Sequence, residues 1–204
     1  MSVNLDIYNA KSADYAESYE SVPTDVALPY FVERLARFKK KSAYHLLDLG
    51  CGSGRDACYF AKMGFRVTAV DGAAAMIDQA RKRNPHTGVD YVHDIGPKFN
   101  ALAEKRGGPY NIILLSAFIF HFDADERQSL YRFIKQVADK ECYIHLTLRH
   151  GPAADQRHFH EVPEKELQDF AKENGFIFHR YTSAKDHLKR NAVSWSYTDL
   201  IRKG

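Results

Sequence analysis

Two hydrophobic periodicities alternate along this chain. Short, nearly continuous apolar runs stand at 44–49 (YHLLDL), 65–70 (FRVTAV), 89–92 (VDYV), 110–116 (YNIILLS) and 141–148 (ECYIHLTL), with helical spacing at 56–62, 73–83, 125–138 and 164–174. Runs that are apolar on both pleats and separated by helices predict a mostly parallel α/β sheet covered on both faces. The punctuation agrees: Gly64 and Gly175 lie where the chain leaves helices, Asn84-Pro85 stops another, and Pro163-Glu164 opens the last. Two further strands are expected at 175–183 and 192–202, joined by polar AKDHLKRN, the second alternating Val193, Trp195 and Tyr197 on one face. Val26, Leu28, Phe31, Val32, Leu35 and Phe38 predict an amphipathic helix over 24–38, with Thr24 as cap and Pro29 early. Ahead of it, DIYNAKSADYAESYES spaces Tyr8, Tyr15 and Tyr19 seven and four residues apart, along one side of a helix. A solvated helix has no use for three aromatics on one side, so this one either docks on the domain or closes over a site.

Composition narrows the class. With 204 residues and 45% hydrophobic content, one domain over 1–204 suffices, read as an N-terminal helical cap at 1–40 and a core at 41–204. Net charge is +3 from 29 basic and 26 acidic residues, so charge balance demands neither DNA nor a membrane as partner. Lys39-Lys40-Lys41 and Arg81-Lys82-Arg83 fall at expected helix ends, where the helix dipole accounts for them. Cys51, Cys58 and Cys142 are odd in number and lack C-x-x-C spacing, which predicts a reducing, cytoplasmic setting. The longest apolar run is too short to span a bilayer, and Asp6 interrupts any secretory leader.

The chemistry concentrates at 46–56, LLDLGCGSGRD. Glycines at 50, 52 and 54 strip side chains from a strand-to-helix turn, so a ligand can lie against bare backbone and free helix N–H groups. About twenty residues on, FRVTAV ends in Asp71, an acid placed to hold ribose hydroxyls. The dinucleotide fingerprint needs a glycine where this chain has Arg55. Instead, DLGCGSG with Asp48 resembles motif I of class I S-adenosylmethionine-dependent methyltransferases. The similarity continues through Asp71 (motif II), VHDI at 92–95 (motif III, Asp94) and YNIILLSAFIFHF at 110–122 (motif IV). It covers roughly residues 5–148, and the short chain looks closest to small tellurite-resistance-type or thiopurine-type enzymes.

The resemblance implies a Rossmann-like, seven-stranded sheet of order 3-2-1-4-5-7-6, its last strand antiparallel, with helices on both faces. It also implies S-adenosyl-L-methionine as cofactor and S-adenosyl-L-homocysteine as product. On that reading Gly50, Cys51, Gly52 and Gly54 admit the methionine and ribose portion, and Asp71 with Gly72 holds the ribose. Asp94 accepts from the adenine amine and the Ile95 N–H donates to the ring; Met76 packs on the adenine or simply fills the core. Asp48 either faces the cationic donor or braces the glycine loop, and Tyr8 belongs to a helix that folds over the cofactor.

On the acceptor side, Ser116 and His121 follow a strand end that faces the ligand crevice. No Asn/Asp-Pro-Pro-aromatic turn and no Pro-Cys pair occurs, which argues against DNA bases. The loop RHGPAADQRHFHEV at 149–162 gathers Arg149, His150, Arg157, His158 and His160. It reads as a plain polar loop, as a pocket for an anionic acceptor, or as a metal site through His158 and His160; no metal is assigned. His121 and His150, with Arg149 beside them, are the candidates for a general base. The expected function is methyl transfer to a small-molecule acceptor by a monomer or homodimer; a protein methyltransferase and a non-catalytic sensor of the cofactor are the alternatives. One departure stands out: ADKEC at 138–142 replaces the family's Pro-Gly-Gly turn, so the loop there is expected to differ.

Overall fold

The computed structural model describes residues 2–104, 108–153, 155–181, 184–188, 190 and 192–204. Its centre is a sheet of β1 (His45–Leu49), β2 (Arg66–Asp71), β3 (Val89–His93), β4 (Tyr110–Leu115), β5 (Ala138–His150), β6 (Ile177–Arg180) and β8 (Ser194–Arg202), with a two-residue β7 (Ala184–Lys185) on β8. The order β3-β2-β1-β4-β5-β8-β6 is the predicted 3-2-1-4-5-7-6, with β1 to β5 parallel and β8 antiparallel to β5 and β6.

Alternation along the central strands explains why their sequences are apolar throughout. Leu47, Leu49, Ile113, Leu115, Ile144 and Leu146 face one layer, while Leu46, Val67, Ala69, Ile112, Leu114 and Tyr143 face the other. The first layer is closed by α8 (Ala124–Val137) and α9 (Glu164–Glu173), the second by α4 (Pro29–Ala36) and α5 (Arg55–Lys62). Asp123 starts α8 with a capping box, its carboxylate accepting from the Glu126 N–H at 2.9 Å. Arg127 of α8 then forks onto Glu166 of α9 with two 2.7 Å bonds, and the Tyr131 hydroxyl donates to the same carboxylate. On β8, fully buried Asp199 accepts from Tyr143, His145 and Tyr181 at 2.9, 2.6 and 2.6 Å.

Several expectations are corrected. The helix predicted over 24–38 breaks into α3 (Thr24–Ala27) and α4, because Leu28 precedes a proline and is pushed out of the helical region (φ −129°, ψ 51°). The N-terminal helix is likewise two, α1 (Ser2–Ala10) and α2 (Ser12–Glu20), bent at Lys11. ADKEC is no loop: β5 starts at Ala138, and the register slips between Tyr110 and Ile112 of β4 to absorb it. Beside the seven-strand path, the expected linker 184–191 contributes the two-residue β7, and β6 covers Ile177–Arg180 of the expected 175–183, of which 182–183 lie outside the described residues. The remaining helices are α6 (Ala74–Arg83) and α7 (Asn100–Glu104), the latter unforeseen.

Candidate active site

Strand order reverses between β1 and β4, and a cavity opens above their carboxyl ends, the usual ligand position in such sheets. Its floor is the glycine turn. Gly50, Gly52 and Gly54 all have positive φ (76°, 55° and 77°), which L side chains rarely adopt. The turn is pinned by the Gly50 and Cys51 N–H groups donating to the Val70 carbonyl at 2.8 and 2.9 Å, and by the Gly52 N–H donating to Asp71 Oδ2 at 3.0 Å. Asp71 Oδ1 accepts from the Ala73 N–H at 2.9 Å, so this carboxylate braces two loops at the cavity wall. Burial raises the Asp71 carboxyl against the pull of these backbone N–H groups.

Asp48 lies under the turn at 1% exposure, and its Oδ2 has no hydrogen-bond partner. Burial, with Asp56 nearby, pushes its carboxyl well above the usual range. Asp48 lines the cavity, and a buried acid with an unpartnered oxygen is unstable alone and suited to a cation. Cys51, Gly72, Met76 and Ser116 also line the cavity. Burial pushes the Cys51 thiol up, so it stays neutral.

The roof comes from α1 and α2. Leu5, Tyr8, Tyr15 and Tyr19 pack with Ala16, Ala73 and Met76, and Tyr19 lies over the bare face of Gly52. Arg55 fastens this roof: its guanidinium donates to the Tyr19 and Val22 carbonyls at 2.7 and 2.8 Å and forks onto Asp56, which accepts from Thr24 Oγ1 at 2.7 Å. Asp155 ties the other side, accepting from the Tyr15 hydroxyl at 2.9 Å and from Arg157.

The acceptor side carries aromatics and guanidinium groups. Phe120, Phe159 and Trp195 form a wall, with Phe120 centred 5.1 Å from Phe159 and 6.3 Å from Trp195. Arg149 and Arg157 sit 4.9 and 5.2 Å from the Phe159 ring centre. Arg157 pairs with Asp155, and Arg190 forks onto Asp186. Arg149 instead donates to the Gly151 and Pro152 carbonyls at 2.6 Å each. Burial together with the Arg190 and Arg157 charges lowers the Arg149 pKa.

Four of the residues singled out in the sequence do not line this cavity. Gly54 is bare to admit Tyr91 and Ala80, so it packs α5 against α6 and β3 and does not line the cavity. Asp94 and Ile95 back onto Gly72 and are absent from the cavity wall. Asp94 accepts from the Ile95 and Leu102 N–H groups at 2.9 and 2.8 Å, organising the entry to α7. His150 lies beyond the cavity, bonded to Ser196 Oγ at 2.8 Å. His121 does line it, wedged between Asn4 and Tyr8. Asn4, Arg55 and Phe118, whose ring covers Gly50, had no recognisable local signal of a site role. Among the described residues no three His, Cys, Asp or Glu side chains gather as metal ligands, and no helix is long and apolar enough to cross a membrane.

This fold and turn are similar to those of class I S-adenosylmethionine-dependent methyltransferases. Residues 46–141 match the methyltransferase domain family. Among curated relatives, the chain is 32% identical over 96 residues to a ubiquinone biosynthesis O-methyltransferase of Caulobacter vibrioides; the match takes in 44% of this chain and 38% of that enzyme. The chain thus spans well under half the length of that relative. Among solved structures, magnesium protoporphyrin IX methyltransferase of Synechocystis, with bound S-adenosylmethionine, superposes with a TM-score of 0.74 at 16% identity, covering 99% of this chain and 96% of that one. A Burkholderia thailandensis 1,6-didemethyltoxoflavin N1-methyltransferase superposes at 0.67 and 17% identity, covering 100% and 88%.

Proposed function

We propose that the chain is an enzyme that transfers a methyl group from S-adenosylmethionine to a small molecule. The carrying observation is the open oxygen of buried Asp48 beneath a glycine turn whose Cβ positions have no room for side chains. The residues present fit the donor. Asp48 faces its cationic end, Gly50 and Gly52 expose backbone to it, the free lone pairs of Asp71 meet ribose hydroxyls, and Met76 offers a flat apolar contact. When bound, the donor supplies an electrophilic methyl on a sulfonium. The protein's part is to hold the acceptor in line and keep water out. The helices within 1–40 act as the lid, with Tyr8 and Tyr19 as its inner surface. The guanidinium-lined wall suits an anionic acceptor, and three unpaired thiols suit a reducing, cytoplasmic setting. The relatives named above are described as acting on small molecules, which agrees with the acceptor class.

Titration calorimetry with S-adenosylhomocysteine tests the reading. Binding is expected to the wild type, and its absence would sink the proposal. A 2′,3′-dideoxyribose analogue separates direct ribose contact from loop bracing by Asp71: the analogue should lose affinity for the wild type and lose nothing further for Asp71→Ala.

A further inference from the structure

The hydrogen-bond network around His121 decides what the acceptor site can ask of its substrate. Asn4 is held face to face with the backbone of His158: its Oδ1 accepts from the His158 N–H and its Nδ2 donates to the His158 carbonyl, both at 2.8 Å. That fixes which end of the amide carries hydrogens. Nδ2 lies 3.1 Å from Nδ1 of His121, so Nδ1 must accept. In the neutral ring the proton therefore sits on Nε2, which points at the Tyr8 hydroxyl 3.4 Å away, inside the cavity. A second proton on Nδ1 would face the Asn4 amino group. Burial and the nearby Arg157 charge act in the same sense and lower the His121 pKa to about 3. His121 thus presents a donor, and the general-base role expected from its position is not available to it.

The other groups on this side also present protons. Arg157 Nη1 donates to the Tyr8 oxygen at 2.8 Å, so Tyr8 has its own O–H to give. Burial raises the Tyr8 and Tyr19 phenols, which keep their protons. Asp186 is saturated by Arg190 and the Trp195 N–H. His187 stands exposed on the turn at the mouth. Among the described residues, Arg149 is the guanidinium on this wall whose hydrogen bonds go to carbonyls alone.

We propose that the acceptor is a carboxylic acid with an apolar body, methylated on a carboxylate oxygen, its charge met by Arg149 and its body lying on Phe120, Phe159 and Trp195. This rests on the methyltransferase reading above. A lone pair of the carboxylate oxygen forms the new O–CH3 bond; the CH3–S bond breaks and its electron pair stays on sulfur. Acid anion and sulfonium are both neutralised, and no proton is released. An acceptor side whose described residues Tyr8, His121 and Arg149 present donors suits such a reaction, whereas an alcohol or ammonium acceptor would have to lose a proton.

Transfer from tritiated-methyl S-adenosylmethionine to benzoate, cinnamate and indole-3-acetate tests this, with benzyl alcohol and benzylamine as neutral and cationic counterparts. Methyl esters release volatile methanol in mild alkali, while ethers and methylamines do not. Alkali-labile counts from one or more acids, and none from the counterparts, are expected. Alkali-stable product, or S-adenosylhomocysteine binding by calorimetry with no transfer to any of these acids, overturns the proposal while leaving the methyltransferase reading intact; absent binding overturns that reading instead. Arg149→Gln should raise KM for the acid at least tenfold with unchanged S-adenosylhomocysteine affinity, and an unchanged KM would remove Arg149 from the site. The pH profile of kcat should show no imidazole limb, and a limb near the ordinary histidine value that disappears in His121→Gln would restore His121 as a base.

Discussion

At the scale of single residues, Asp48 holds the sharpest tension. Its open, buried oxygen costs the ligand-free fold about 1 to 3 kcal/mol. Because its folded pKa is raised, the linked cost is absent below the ordinary carboxylate value and grows as pH rises above it towards the folded pKa. Asp48→Asn should therefore raise Tm of the ligand-free protein at pH 7 by several degrees and weaken S-adenosylhomocysteine binding at least tenfold, read by calorimetry; a lower Tm with unchanged affinity would refute both halves. The turn around it was legible as glycine spacing. What the spacing could not reveal is that Gly54 serves Tyr91 and Ala80. A missing side chain looks the same in sequence whether ligand or protein fills the space.

Among elements, the roof depends on two ties. Arg55, at the very position that excluded the dinucleotide fingerprint, donates charged hydrogen bonds to the end of α2, worth about 1.5 to 3 kcal/mol each when intact. Arg55→Ala should increase amide exchange across residues 12–22 tenfold or more while the exchange of β1 and β4 stays put. The second tie is acid-sensitive. Burial would raise the Asp155 carboxyl, but Arg157 and Tyr15 donating to it outweigh this and hold it at about 2. A depressed folded pKa means its contribution is whole above about pH 4 and is lost as pH falls towards 2. Tyrosine fluorescence of the α2 face should therefore change in that window and be flat through it in Asp155→Asn. The helical character of 2–36 was readable from spacing, yet its breaks were not fully so. Pro29 announced one, whereas the bend at Lys11 comes from docking two short helices on α6, a tertiary cause with no local marker.

For the whole molecule, the alternation of apolar runs and helices made a mostly parallel, doubly covered sheet readable, whereas the strand order came from the motif resemblance. The edge was less readable. β6 is largely exposed, and register there is decided by pairing and by the buried Asp199 cluster, which joins β8 to Tyr143 and His145 of β5 and to Tyr181. Burial alone would raise Asp199, yet the His145, Tyr181 and Tyr143 hydrogen bonds lower it. Asp199→Asn should cost about 3 kcal/mol at pH 7 and lower Tm by about 10 °C, with donor affinity unchanged because none of these groups lines the cavity.

The clasp between Asn4 and the backbone of His158 spans 154 positions of chain. A ribosome lays down the roof and the glycine turn long before residue 158 emerges, so the nascent protein has Asn4 and His121 in hand with nothing to orient them. The site is thus among the last things this chain completes. A stalled chain ending at residue 150 would carry every cofactor motif and still lack the clasp that sets the His121 tautomer.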